Sequence, residues 1–92
     1  MTELLVIERR DGSGSTAGLV VRVHAGCLML GDRLSAAVDA GGEEHQVGLT
    51  CTEIRITETH MLDQLDENHG GYVVFRGDGA DSVDEGWTLT TG

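Results

Sequence analysis

The sequence predicts an all-β fold of six or seven short strands with glycine turns, a barrel or a sandwich. Apolar and polar residues alternate with a period of two through much of the chain, as half-buried strands require. Glycine, at 14 of 92 residues, separates these runs. Because no segment with helical periodicity is long enough for a crossover helix, the pattern favours a barrel or sandwich over an α/β architecture.

The first two strands are predicted on either side of a glycine-rich connection. Residues 4–7 form an unbroken apolar run, typical of a strand buried on both faces or at the seam of a closed barrel. The segment DGSGSTAG (11–18) lacks the lysine of a phosphate-binding loop and precedes a strand, so we interpret it as a flexible hairpin connection. Residues 19–24 then alternate, and Gly26 and Gly31 predict two turns in quick succession.

The middle of the chain is predicted to form a hairpin whose second strand is irregular. Leu34, Ala36 and Val38 alternate and should share one face, and Ala40 to Glu43, which includes Gly41-Gly42, suits a hairpin turn. In the next strand the apolar parity changes, which predicts a β-bulge near Thr52 or Glu53, or a change of buried face. The residues that define the change are Val47, Leu49 and Cys51 before it, and Ile54 and Ile56 after it.

The C-terminal third contains the one stretch with helical spacing. Residues 58–69 are expected to form one or two helical turns or a long loop, ending at Gly70-Gly71. Residues 72–75 predict a strand, GDGADSVDEG an acidic turn region, and Trp87 with Leu89 the final strand. Trp87 is also the aromatic residue that we expect to be partly exposed at a contact surface.

Length and charge indicate one acidic domain covering residues 1–92. The chain has six arginines, no lysine and sixteen acids, a formal net charge of −10, which makes unaided nucleic-acid binding unfavourable. No apolar run approaches the ~18 residues of a membrane span, and the first residues lack the basic region of a signal peptide. The expectation is therefore a cytoplasmic protein that does not enter membranes.

The acids are concentrated in the second part of the sequence. Residues 58–92 hold eight acids and one arginine, a net charge of −7, whereas residues 1–57 hold eight acids and five arginines, a net charge of −3. An acidic field attracts basic surfaces, chiefly by raising the association rate. A surface that only keeps the protein soluble would have the same composition.

The chain shows no constellation typical of catalysis or metal binding. Its histidines lack the close pair that zinc sites usually contain, there is no G-x-S-x-G elbow around a serine, and no catalytic-cysteine signature is present. Cys27 and Cys51 are expected to be reduced and buried, with a disulfide as the alternative. The residues considered for these roles were His24, His45, His60 and His69, and Ser15, Ser35 and Ser82. The sequence therefore assigns no catalytic residue, no metal ligand and no cofactor, and it places no binding site.

Two blocks of the sequence resemble the β-barrel second domain of translational GTPases such as elongation factor Tu. The first is RVHAGCLMLGDRL, and the second is YVVFRGDGADSVDEGWTL; the opening segment LLVIERRDG is similar to the strand that enters that barrel. The matching positions of the first block are Arg22, Val23, Gly26, Gly31, Asp32 and Leu34, and those of the second are Arg76, Gly77, Asp81, Val83, Gly86 and Leu89. The resemblance covers most of the chain. It implies a small antiparallel barrel of six or seven strands, closed or nearly closed, with Greek-key-like connections.

The departures from the family pattern concern function more than fold. Val21 replaces a glycine before the Arg-Val pair, Glu85 replaces a basic residue, and Ser82 separates Asp81 from Val83. No G-x-x-x-x-G-K-[ST] motif is present, so nucleotide binding is not expected, and the resemblance implies the barrel without its G domain. In the family this domain contacts the aminoacyl end of tRNA and the ribosome.

The sequence thus favours a non-catalytic binding or adaptor module that meets a protein partner through an acidic surface. One alternative is a translation-associated factor that contacts tRNA or the ribosome. A second alternative is a barrel that binds a small molecule. Fold resemblance does not decide among the three, because one barrel can carry many functions.

Overall fold

The computed structural model describes residues 1–57 and 59–91, and within these ranges the chain forms strands and turns without a helix. Nine strands are present among the described residues. They are β1 (Glu3–Ser13), β2 (Thr16–Ala25), β3 (Leu28–Met29), β4 (Arg33–Val38), β5 (Glu44–Thr57), β6 (His60–Leu62), β7 (Gln64–Leu65), β8 (Gly70–Asp78) and β9 (Thr88–Thr90).

Six of these strands form the closed antiparallel barrel that the sequence predicts. Their order is β4-β9-β1-β2-β8-β5, and β4 also pairs with β5, which closes the sheet on itself. β6 extends the sheet beyond β5, and β3 pairs with β7 in a separate two-stranded sheet. The connection from β8 to β9 passes around the β1–β2 hairpin, as the long return connection of a Greek key does.

The barrel interior is filled by side chains from every strand of the closed sheet. Phe75 is the largest fully buried residue. In β1, Leu4 and Val6 point inward while Ile7 is 44% exposed, so this run is buried on one face rather than on two. The fully buried aliphatic residues of the interior include Leu4, Val6, Leu19, Val21, Val23, Leu34, Leu49, Ile54, Val73 and Leu89.

The bulge predicted in β5 is confirmed. Cys51 pairs with Phe75 and Glu53 with Val74, which leaves Thr52 as the extra residue in the β5–β8 ladder. The hydroxyl of Thr52 donates a hydrogen bond to the Val74 carbonyl, 3.1 Å away. Because the bulge absorbs one residue, Cys51 and Ile54, which differ in parity, are both buried, whereas Ile56 lies at a second register shift and is exposed.

Two expectations are corrected by the strand pairings. The β4–β5 ladder shifts between Leu34 and Ala36, where two residues of β5 lie opposite Ser35. Leu34 and Ala37 are buried, whereas Ala36 and Val38 are only partly buried, so the expected alternation does not hold. The segment 58–69 is predicted to form helical turns or a loop. Glu58 lies outside the described residues, and the rest of the segment forms β6, β7 and a turn. Its apolar side chains do not share a helical face, because β6 pairs with β5 and β7 pairs with β3, which satisfies the backbone in extended form.

The turns follow the glycine signals. A two-residue turn, Gly14-Ser15, joins β1 to β2, so the segment 11–18 contains the expected hairpin turn. Its other six residues are paired in the two strands and do not form a flexible connection. The β4–β5 hairpin turns where predicted, and Gly42 there has φ of 90°. Both cysteines are free; Cys51 is buried, as expected, and Cys27 is only partly buried.

Candidate functional site

An open groove crosses the outer surface of the barrel over β1, β2, β8 and the end of β5. It consists of two adjoining depressions of ≈ 260 and ≈ 450 Å³ that share Arg10, Ile56 and Tyr72 as lining residues. We call it the bulge groove, because three of its lining residues are the extra residues of β-bulges. Ile7 and Arg10 are the extra residues at two register shifts between β1 and β2, and Ile56 is the extra residue at the shift between β5 and β6.

These three bulged residues are exposed, and all of them line the groove. Ile7 is 44% exposed and Ile56 is 58% exposed, so the groove offers two large aliphatic side chains to solvent. A bulge turns its extra residue out of the regular alternation and re-aims the side chain. The irregular pairing of β1 and β5 therefore places two aliphatic side chains and one guanidinium group on the same outer surface.

Tyr72 forms the centre of the groove. Its hydroxyl donates a hydrogen bond to Asp11 Oδ2 at 3.0 Å, and its ring lies so close over Gly18 that any β-carbon there would collide with the phenol. The guanidinium carbon of Arg55 lies 5.3 Å from the ring centroid, a cation–π distance. Burial and then the hydrogen bond to the Asp11 carboxylate raise the pKa of Tyr72, so the phenol remains protonated.

The groove presents three guanidinium groups in an acidic protein. Among the described residues, Arg10, Arg22 and Arg55 line it together with one carboxylate, that of Asp11. Two of the arginines also face acids on their own strands. Arg10 Nε lies 3.4 Å from Glu8 Oε2, with both side chains more than half exposed, and Arg55 forms a partly buried ion pair with Glu53. The exposed Arg10–Glu8 pair stabilises little, so the Arg10 guanidinium group can exchange it for a ligand's anionic group.

A second, oppositely charged region lies at one end of the barrel. The β4–β5 hairpin (39–44) and the β8–β9 loop (78–87) together hold seven acids and neither arginine nor lysine. The two segments are in contact: Gly86 approaches Ala40, and Trp87 stacks on His45 with ring centroids 4.8 Å apart. We call this region the acidic end. Six of its seven acids are exposed, namely Glu43, Glu44, Asp78, Asp81, Asp84 and Glu85.

Asp39 organises the hairpin of the acidic end. Its Oδ1 accepts hydrogen bonds from the backbone amides of Gly41 and Glu43, both at 2.9 Å, and its Oδ2 lies 2.9 Å from His45 Nε2. These bonds, the one to His45 first, lower the pKa of the Asp39 carboxyl. Asp39, Glu43 and His45 bring one potential ligand atom each within 4.8 Å of one another, so they could hold a metal ion. Asp39 would then exchange its bond to His45 for the ion.

An arginine of β1 fixes the β8–β9 loop by hydrogen bonds to its backbone. Arg9 Nη1 donates hydrogen bonds to the carbonyl oxygens of Ala80, at 2.7 Å, and Val83, at 2.6 Å. The neighbouring Arg10 instead points into the bulge groove. Two adjacent arginines in β1 therefore serve different regions of the molecule.

The described acids of residues 59–91 do not form one surface. Asp63, Asp66 and Glu67 lie near the start of β8, where Glu67 Oε1 accepts a hydrogen bond from the Gly26 amide. The other described acids of this part lie at or after the end of β8, about 26 Å away along a nine-residue strand. The acidic end is thus assembled from both halves of the sequence, because the hairpin contributes three of its acids.

The remaining residues considered for function are spread over the barrel. His24, His60 and His69 are exposed, and Ser35 donates a hydrogen bond to the Thr91 carbonyl. Cys27 Sγ lies 3.8 Å from Asp66 Oδ1, and burial followed by this carboxylate raises the pKa of the Cys27 thiol. Burial raises the pKa of Cys51 to about 12.

Comparison with known proteins adds no family to these observations. Neither the protein-family models nor the curated proteins include one that matches the chain. The structure itself is that of a small all-β closed barrel of six antiparallel strands. Among the described residues, no helix has the length and apolar character needed to cross a membrane.

The sequence indicates part of the acidic end but does not indicate the groove. The acids of the β8–β9 loop and the position of Trp87 were visible as composition, but their contact with the β4–β5 hairpin was not. The groove depends on register shifts at Ile7, Arg10 and Ile56. A signal was present at the first of these, because Ile7 ends an apolar run that strict alternation would have interrupted.

Proposed function

We propose that this barrel is a non-catalytic binding module that docks on a basic surface of a partner protein through its acidic end. The observation that carries the proposal is the convergence of two acidic segments around the stacked pair of Trp87 and His45. Seven carboxylates without an intervening arginine or lysine produce a negative potential that extends beyond any single contact. A partly buried tryptophan at the centre of such a surface is the type of residue that anchors protein interfaces.

The resemblance to elongation factor Tu domain 2 supports a binding role within this proposal. In that family the barrel makes contacts and the G domain performs the chemistry, and this chain resembles the barrel. The net charge of −10 favours a basic protein surface over a phosphate backbone. We further propose that the module acts in the cytoplasm, where free thiols such as those of Cys27 and Cys51 persist.

The experiment uses Trp87 as a reporter, because it is the one tryptophan of the chain. The indole N–H resonance of Trp87 would be followed while an octalysine peptide is added, with EDTA present to keep the Asp39, Glu43 and His45 cluster free of metal. We expect a saturable shift of this resonance. In the variant Asp81→Asn/Glu85→Gln the dissociation constant should rise at least threefold, since two of the seven charges are lost.

The matched control is Asp63→Asn/Asp66→Asn, which changes the net charge equally but lies near the start of β8. Its dissociation constant should stay within a factor of about 1.5 of the original, because exposed charges beyond a Debye length of ~8 Å are screened at physiological salt. Equal weakening by the two double variants would show that net charge alone attracts the peptide, and would overturn the proposal.

The step from a peptide to a protein partner is tested by affinity capture from a cell extract with the same three proteins. We expect a captured protein of basic surface that is lost with Asp81→Asn/Glu85→Gln and retained with the control. A capture profile that is identical for all three proteins would contradict docking through the acidic end.

A further inference from the structure

The bulge groove combines features that a solvent-facing sheet surface does not need. Ile7 and Ile56 expose apolar side chains that the core could have buried, and Arg10 and Arg22 are exposed beside them. Three separate register shifts give rise to this arrangement. Bulges concentrate next to binding sites, where they direct a side chain toward a ligand.

The chemistry of the groove selects an anionic ligand with an apolar part. Guanidinium groups bind carboxylates through paired N–H donors, and the aliphatic side chains offer contact area that a fully hydrated anion would not use. Tyr72 adds an aromatic surface whose hydroxyl is already held by Asp11. The ligand therefore needs at least two negative groups with an aliphatic group between or beside them.

We propose that the bulge groove binds a short acidic segment of a partner protein that carries aliphatic side chains. Charge complementarity supports this occupant, because the described residues that line the groove include three arginines and one aspartate in a protein of net charge −10, and Arg10 and Arg22 among them are exposed. A long polyanion would also experience the acidic remainder of the molecule, whereas a segment of a few residues lies within one screening length of the arginines. The segment lies on the outer sheet surface, in contact with side chains from β1, β2, β5 and β8.

This inference is independent of the function proposed for the acidic end. The two regions share no residue, and along β5 the groove residue Arg55 is eleven positions from Glu44 of the acidic end. If both are correct, the barrel joins a basic surface to an acidic segment and acts as an adaptor between two partners.

The test is a fluorescence anisotropy titration with a fluorescein-labelled peptide of eight residues, five of them Glu or Asp and three of them Leu or Ile. We expect saturable binding that weakens at least tenfold when serine replaces the aliphatic residues, and at least tenfold when Gln and Asn replace the acids. Equal binding of the serine peptide would show attraction by charge alone and would overturn the proposal.

Variants of the protein then locate the site. Arg10→Gln/Arg22→Gln should weaken binding at least tenfold, and Ile56→Ser, an exposed substitution that the fold tolerates, at least threefold. The matched control Arg33→Gln/Arg76→Gln removes the same charge from two exposed arginines outside the groove and should change binding less than twofold. A control as damaging as the groove variant would contradict the assignment.

Other occupants are distinguished in the same titration. Transfer RNA at 0.15 M salt, or vesicles containing phosphatidylserine, should not displace the peptide. Displacement by RNA would replace the proposal with a nucleic-acid site, and displacement by vesicles would replace it with a membrane-surface site. Octalysine, added to a separate sample without the acidic peptide, should shift the Trp87 resonance and leave the resonances of the groove residues unchanged. The result at the groove therefore stays separate from the result at the acidic end.

Discussion

The acidic end is built from turns, whereas the bulge groove is built from irregular strands. In the acidic end, a hairpin fixed by Asp39 and a loop held by Arg9 present charges that are already exposed by their position between strands. In the groove, the strands continue through the site, and register shifts turn Ile7, Arg10 and Ile56 outward. Turns and bulges alone thus place an acidic region and an arginine-lined groove on one small barrel, whose described residues form no helix.

The largest effect is expected from a substitution in β8, because this strand contributes residues to both regions. Gly77 in β8 has φ of 137°, and its amide donates a hydrogen bond to the Ser15 carbonyl at 2.7 Å. A β-carbon at this position would collide with the Gly48 carbonyl oxygen of β5. Gly77→Ala should therefore lower the free energy of unfolding by about 3 kcal/mol or more, from backbone strain and the clash together.

Urea denaturation followed by Trp87 fluorescence would measure this change. Gly14→Ala is the control, because Gly14 also has a positive φ, 61°, but a β-carbon there meets no atom within 4 Å. The control should cost about 1 kcal/mol, the strain alone. If the two variants unfolded at the same urea concentration, close packing between β8 and β5 would not be what requires a glycine.

The adjacent arginines of β1 give the sharpest separation of the two regions. Arg9→Met removes the donor to the Ala80 and Val83 carbonyl groups, so it should destabilise the protein by about 2 kcal/mol and loosen the β8–β9 loop. Arg10→Met should change stability by less than about 0.5 kcal/mol, because its side chain is exposed. Urea denaturation and amide hydrogen exchange of residues 79–86 would measure both effects.

The same two variants should rank in the reverse order when binding of the acidic peptide is measured. Arg10→Met is expected to weaken the acidic peptide severalfold, whereas Arg9→Met leaves it nearly unchanged. If Arg9→Met weakened the acidic peptide as much as Arg10→Met, the groove and the loop would be one site, and the distinction between the regions would fail.

A smaller effect is expected from pH at the acidic end. Because the folded pKa of Asp39 is below its unfolded value of ~3.9, the carboxylate contributes stability above that pH and loses it as the pH falls through the folded pKa. Asp39→Asn should therefore unfold at a lower urea concentration than the original protein at pH 7. The difference should shrink below pH 4. A difference that is constant from pH 7 to pH 3 would contradict a role for the ionised carboxylate.

The smallest effect is expected on the reactivity of the two cysteine thiols, one of which lies in the barrel core. Burial raises the pKa of Cys51 to about 12, so iodoacetamide should modify the partly exposed Cys27 and leave Cys51 intact in the folded protein. Neither the acidic peptide nor octalysine should alter this order, because both bind outside the barrel. Mass spectrometry of alkylated peptides would show it. Modification of Cys51 on addition of either peptide would mean that binding opens the barrel.

The sequence predicted what depends on composition and turn chemistry. The barrel, the Gly41-Gly42 hairpin and the bulge at Thr52 follow from alternation and its one clear fault. The strands at 60–65 were missed, because Met61, Leu62 and Leu65 also fit a helical spacing. Tertiary pairing with β5 and β3 decided between the two conformations. The groove could not be predicted, since its residues come from separate strands whose register only the closed barrel sets.

The central claim is that one barrel carries two separate surfaces of opposite charge, each with its own partner chemistry. The most direct test is a pair of ¹⁵N-HSQC titrations of the ¹⁵N-labelled chain. The first uses the acidic peptide, and the second, in a separate sample, uses octalysine. The account predicts that the first set of shifts clusters on β1, β2 and β8 around Tyr72, and the second on residues 39–45 and 78–87. Shifts from both peptides on the same residues, or shifts spread evenly over the barrel, would contradict it.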